Sequence, residues 1–290
     1  MTTQTLFRPS APARSRGARW ISNATTALIG LIGVAAFLYP FFLPGFQQRG
    51  ELAAHADDAL LIFAALIVLS LTVIFAELES GSVGGASSKT VAVLGVLTAI
   101  NATLRLVDVG TAALNLGGVS PIFFLVILCG YVYGGRFGFL LGALTMAVGA
   151  ILTGGVGPWL PYQMFGVGWV GLTAGWLPSS RLRGPRRLKA RGQLTLEIAV
   201  LAAFGFTWGL LYGAILNLYF WPYAVGSAGY WAPGMSWHQV LVQYTLFYAT
   251  TSLWWDLVRA VGNAALILLF GAAVLKVLRR FQRRFSFETI

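Results

Sequence analysis

The sequence predicts an all-α integral membrane protein, and three observations carry that prediction. The first is composition. Of 290 residues, 57% are hydrophobic and only 10% charged, with a mean hydropathy of +0.75; a soluble domain carries about 25% charged residues. The second is the gathering of apolar residues into runs of the length a bilayer demands of a helix. The third is the placement of the cations, which fall almost wholly on alternate connections between those runs. The single Cys129 excludes an internal disulfide. With His55 and His238 it is too scattered for a zinc site, so neither a metal nor a cofactor is expected.

Taken in order, residues 1–23 are polar and basic, with Arg8, Arg14, Arg16, Arg19 and two prolines, and read as a disordered cytoplasmic tail. An apolar run follows at 24–44. It is long for a signal-peptide core and no clear small-x-small cleavage site follows it, so an uncleaved span is expected. A loop with Glu51, Asp57 and Asp58 leads to a second span at 59–75. Residues 24–77 thus form a two-helix membrane extension, and the Gly/Ser-rich segment at 78–89 a linker.

The main domain, 90–280, reads as six spans at 90–107, 120–133, 137–153, 163–177, 195–220 and 244–278. Ser120-Pro121 suits a helix start, the Ser as cap and the Pro in the first turn. The short connection GYVYGGRFG makes its flanking helices antiparallel neighbours. Residues 152–176 contain a break of Gly154, Gly155, Gly157, Pro158 and Pro161, holding Trp159, Tyr162 and Gln163. Irregular backbone at membrane depth is tolerated where protein or water covers it, so this stretch is expected to fold into a cavity. Residues 281–290 form a basic cytoplasmic tail.

With both termini inside, an eight-span chain places four arginines of the first tail, Lys89, Arg136, six cations at 181–191 and five from Lys276 onward on the cytoplasmic side. Outside lies Arg49; Arg105 and Arg259 lie within spans. This is the positive-inside pattern, and the basic residues serve as topology signals and contacts for anionic membrane lipids. The net charge of +11 therefore does not point to nucleic acid. A multi-pass protein of the cell membrane is expected.

The outward loops at 108–119, 153–162 and 221–243 lack Lys and Arg and are rich in Gly or Pro. They carry Asn115, Trp159, Tyr162, Trp221, Tyr223, Tyr230, Trp231 and Trp237, whereas the cytoplasmic loops are nearly free of Trp. Rings with a few amides suit a flat, partly apolar ligand. Arg105, Asp108, Asp256 and Arg259 lie in the outer halves of the first and last main-domain spans, and each acid is three residues from an arginine. Charges there are costly and mark function or internal pairing. Asn217 and Asn263 are milder candidates. In the first main-domain span Ala92, Gly95, Ala99 and Thr103 form a small-residue stripe suited to an external helix; Gly138 with Gly142 and Gly171 with Gly175 suit internal packing. The chain carries no P-loop, HExxH or G-x-S-x-G motif, and no enzyme activity is expected.

These residues resemble the substrate-binding S-component of energy-coupling-factor (ECF) vitamin transporters. The likeness rests on the six-span domain, the small residues of its first span, the run GYVYGGRFGFLLGALTMAVGAILTGGVGPWLPYQMFGVGWVGLTAG with its G-P-W loop, and the basic loop before the fifth span. The resemblance implies an S-component-like bundle with two extra N-terminal helices, capturing a vitamin at the outer face. It implies a transmembrane T-component and two cytoplasmic ATPases as partners. Ala92, Gly95, Ala99 and Thr103 would dock the T-component. Asn115, Trp159, Tyr162, Gln163, Asn217, Trp221, Trp231, Arg105, Asp256 and Arg259 would bind the ligand. The aromatic loops resemble those of S-components assigned to cobalamin; riboflavin, thiamine or a queuosine-type base stay open. The competing reading is a membrane enzyme acting on a lipid through Asp256 and Arg259, or through Asp108 and Arg105.

Overall fold

A computed structural model of the chain describes residues 27–28, 30–38, 41, 88–114, 120–177, 190–224 and 226–286. Every regular element among them is helical. The labelled helices are α1 (Ser88–Ala113), α2 (Ile122–Tyr133), α3 (Gly135–Thr153), α4 (Leu160–Ala174), α5 (Ala190–Phe220), α6 (Trp237–Thr251) and α7 (Leu253–Ser286), with a 3₁₀ turn at Trp221–Tyr223. Four stretches are long and apolar enough to cross a membrane, Val91–Thr111, Gly135–Thr153, Gly192–Tyr223 and Leu253–Gln282. α2 and α4 are apolar but shorter.

The core forms where α2, α3 and α4 press together. Gly134, with φ of 103°, joins α2 to α3 in a connection that a residue with a Cβ would strain. The expected antiparallel neighbours result. Gly138 and Gly171 lie so close that a methyl on either would strike the other helix's backbone, and the small pairs are internal contacts as expected. α3 ends at Gly154, a left-handed cap with φ of 65°. α5 and α7 run antiparallel along one another, with Gly205 beside Asn263, Gly209 against Ala260 and Gly271 beside Ile198. The buried stripe of α7, at Asp256, Ala260, Asn263, Ile267, Gly271, Leu275 and Leu278, recurs at helical spacing.

At the end of the bundle where α2 stops, Glu197 of α5 is buried beneath Arg279 of α7 and Tyr131 of α2. Arg279 ion-pairs with its carboxylate and the Tyr131 hydroxyl donates to it. Nearby the Tyr133 hydroxyl donates to the Leu278 carbonyl (3.1 Å) and Gln282 Nε2 to the Val132 carbonyl (2.6 Å). Three helices separated by long stretches of sequence are tied there.

Several expectations are corrected. The last span, read as continuous over 244–278, is two helices broken at Ser252. The Thr251 and Ser252 hydroxyls bond the Asn217 amide of α5, and Ser252 takes φ of −124°. The segment read as the loop 221–243 contains the start of α6, closed by a capping box in which the Ser236 hydroxyl accepts from Gln239 N and the Gln239 side chain accepts from Ser236 N. Ser120 does not cap α2; Pro121 occupies that place and Ser120 turns its hydroxyl to Asp108. α4 starts at Leu160, three residues before the expected span, so Tyr162 stands on its first turn, not in a loop, with Gln163 beside it. α1 begins inside the segment read as linker, and α7 continues into the segment read as tail.

The described N-terminal residues, helical at 30–38, pack on the bundle. Phe37 is buried with its ring 5.1 Å from Tyr162 and 5.4 Å from Trp169, and Phe41 meets Trp221 and Trp231. These contacts join them to α4, to the 3₁₀ turn and to the loop before α6. The second expected span at 59–75, most of the basic loop at 178–189 and the first tail lie outside the described residues.

Candidate functional site

At the other end of the bundle, α1, α3 and α5 finish and α2, α4 and α7 begin. A cavity of about 250 Å³ opens among them. Its polar lining comes from Arg105 and Asp108 of α1, Ser120 before α2, Gln163 of α4, Asn217 of α5, Ser252 at the α6–α7 break, and Asp256 and Arg259 of α7. Phe123, Met146, Tyr212, Leu216 and Trp255 supply much of the apolar wall. Two guanidiniums and two carboxylates therefore share one small space. Charged side chains in a membrane bundle face the interior or a cavity because lipid cannot solvate them.

The two arginines are treated differently. Arg259 ion-pairs with Asp256 across one helical turn, and its guanidinium carbon lies 5.0 Å from the Tyr212 ring centroid and 5.8 Å from that of Phe123. Asp256 Oδ2 has no hydrogen-bond partner. Gly213 makes room for this carboxylate, since a Cβ there would occupy the same space. Arg105, only 6% exposed, ion-pairs with no acid among the described residues. Its Nη2 donates to Gln163 Oε1 (3.0 Å) and its Nη1 to Met146 Sδ (3.0 Å), while its Nε is buried without a partner. The stem of Arg105 crosses α3 at Gly149, where a Cβ would lie 2.5 Å from Arg105 Cδ.

The sequence pattern suggested two acid–arginine pairs, each within one helix. Asp256 and Arg259 form one; Arg105 and Asp108 do not. Asp108 Oδ1 accepts from the Ser120 hydroxyl (2.7 Å), because the turn before α2 brings that hydroxyl within reach. Asn217 Nδ2 donates to Ser252 Oγ (2.8 Å), and Ser252 donates back to Asn217 Oδ1 (3.0 Å). Asn263 lies deeper on α7, 1% exposed, with neither amide atom bonded.

The structure brings Arg105, Gln163, Asn217, Asp256 and Arg259 to one cavity. It places the aromatic candidates elsewhere. Trp159 folds back over its own loop, with Nε1 donating to the Gly155 carbonyl (3.1 Å). Tyr162 stacks on Tyr219, centroids 4.1 Å apart and planes 6° from parallel. Trp221 is buried in a separate cluster with Ala224 and Phe247 and donates to the Gly229 carbonyl (2.7 Å); half-buried Trp231 packs against that cluster. Asn115 lies outside the described residues. Met146, Gly149, Tyr212, Gly213, Ser252 and Trp255 were missed by sequence reasoning. Trp255 alone left a signal, the run Trp254-Trp255-Asp256 inside an apolar helix.

Of the stripe on α1, Ala92, Gly95, Ala99 and Thr103 are all exposed on the described surface, and nothing lies within 4 Å of where a Cβ on Gly95 would stand.

Helices of membrane-crossing length around an end cavity lined by charged side chains define an all-helical membrane protein with a polar cavity at one end of its bundle. The family model of the ECF transporter, substrate-specific component, matches residues 89–271. The chain belongs to that family, whose members are substrate-binding subunits of transporters. Searches of curated proteins and of solved structures gave no match.

Proposed function

We propose that the chain captures a vitamin or related micronutrient in the cavity between α1, α4, α5 and α7 and delivers it inward with a transmembrane T-component and two cytoplasmic ATPases. The observation that carries this reading is the convergence of Arg105, Gln163, Asn217, Asp256 and Arg259, from four helices, on one cavity within the family-matched region. The cation distribution supports a cell-membrane orientation with this cavity outside and the Glu197–Arg279 end inside, both termini cytoplasmic and the two N-terminal helices completing eight spans.

A cavity of about 250 Å³ favours a compact ligand, since sites for drug-sized molecules run from about 300 to 1,000 Å³. That size supports a small vitamin or precursor over cobalamin. Trp159, Tyr162, Trp221 and Trp231 then serve by shaping the outer end, not by touching the ligand. The exposed Ala92, Gly95, Ala99 and Thr103 form the face for the T-component. The described N-terminal residues contact α4, α5 and the α5–α6 connection, a position that leaves this face of α1 to the partner. The lipid-enzyme reading gains nothing from the geometry. Asp256 is committed to Arg259, and His238, the base it would need, is exposed on the first turn of α6 and does not line the cavity.

The test is mass spectrometry of small molecules released by heating the purified chain. One organic molecule in near-stoichiometric amount is expected from the wild type, falling by at least about tenfold in Gln163→Ala. Release of lipids alone would refute the proposal.

A further inference from the structure

We infer that the ligand is a compact organic acid whose carboxylate docks on Arg105; this rests on the capture reading above and specifies its substrate class. Two guanidiniums line the cavity, and of these only Arg259 is in direct contact with a carboxylate among the described residues. Arg259 has Asp256. Arg105 has an amide oxygen and a thioether, and a thioether is a weak acceptor for a charged donor. Its Nε, like that of Arg259, is buried without a hydrogen-bond partner. A buried cation whose hydrogen-bond partners are all neutral is costly, and an anion bound directly to it relieves that cost.

The surroundings show that Arg105 is delivered to this place. Gly149 leaves its stem a path across α3, and Gln163 on the first turn of α4 holds one edge of its head group. The planar guanidinium offers five N–H donors, of which Gln163 and Met146 engage two, and a carboxylate's two oxygens match the fork that remains. Asp108 lines the same cavity with Oδ1 held by Ser120, so a second negative charge on the ligand meets repulsion. This favours a monoanionic carboxylate over a phosphate ester. Trp255 and Leu216 on the wall receive the ligand's apolar body.

The experiment uses the purified full chain in detergent and matched probes that change charge at nearly constant shape. Nicotinate is paired with nicotinamide, 4-aminobenzoate with 4-aminobenzamide, pantothenate with panthenol, and biotin with its amide; pyridoxal phosphate is the phosphate arm. All are offered together, and those retained after gel filtration are measured by mass spectrometry. At least one acid is expected to be retained about tenfold or more over its neutral partner. That preference should disappear in Arg105→Gln and return in part in Arg105→Lys, which keeps the charge but not the fork. Trp237→Ala, at an 84%-exposed position, should behave as wild type and control for handling. Equal retention of acid and amide, an acid preference surviving in Arg105→Gln, or retention of the phosphate alone overturns the inference and leaves the capture reading in place. Retention of no probe by the wild type counts against both.

Discussion

At the scale of single residues, the Asp256–Arg259 pair fixes the α7 side of the cavity. Its carboxylate is 1% exposed and sits where only a glycine at 213 leaves space. Removing one partner of a buried pair leaves an uncompensated charge and costs about 3–5 kcal/mol, whereas removing both costs far less. Arg259→Ala and Asp256→Ala should each lower stability by roughly that amount. The double variant should be more stable than the sum of the two losses implies, and denaturant unfolding of the four proteins in detergent measures this. Additive losses would mean that the pair does not act as a unit. Both acid–arginine spacings were visible in the chain, but spacing alone did not foretell their different fates. The i, i+3 rule puts both pairs on one helix face, yet Ser120 and Gln163 reach Asp108 and Arg105 from other elements.

At the scale of elements, the break between α6 and α7 has structural consequences. It sets the Ser252 hydroxyl against Asn217 and starts α7 so that Trp255, Asp256 and Arg259 line the cavity. An apolar, aromatic run through residues 244–278 hid this break, because hydropathy does not report which hydroxyls find partners across a helix interface. The start of α6 was legible. Ser236-Trp237-His238-Gln239 carries the capping-box spacing, and aromatic residues around it drew the reading toward a loop. Ser236→Ala should remove this cap and cost about 1 kcal/mol. Hydrogen exchange should show faster opening of the first turn of α6, with α1 to α4 unchanged; unaltered exchange there would mean that tertiary contacts, not the cap, hold the turn.

At the scale of the whole molecule, the bundle has two unlike ends and one unlike side. One end holds the cavity; the other holds buried Glu197 under Arg279 and Tyr131. The side is the small-residue face of α1, which the described bundle leaves uncovered. If that face meets the T-component, Ala99→Trp should abolish co-purification with the T-component and ATPases. The isolated variant should still release the same small molecule as the wild type, because Ala99 lies outside the cavity lining. Intact association of Ala99→Trp would move the docking face elsewhere.

The sequence by itself determined the class of protein, most of the helices and the suspicion attached to Arg105, Asp256, Arg259, Gln163 and Asn217. Those follow from local physics: apolar length, punctuation by Gly and Pro, and the cost of charge in an apolar run. Only the tertiary structure decided which arginine is paired, where the last helix breaks and which aromatic rings leave the cavity to polar groups. Those outcomes depend on how helices rotate and approach one another. Arg105 with Gln163, and Asn217 with Ser252, are contacts between residues 58 and 35 positions apart, and neither residue of a pair carries a local mark of its partner.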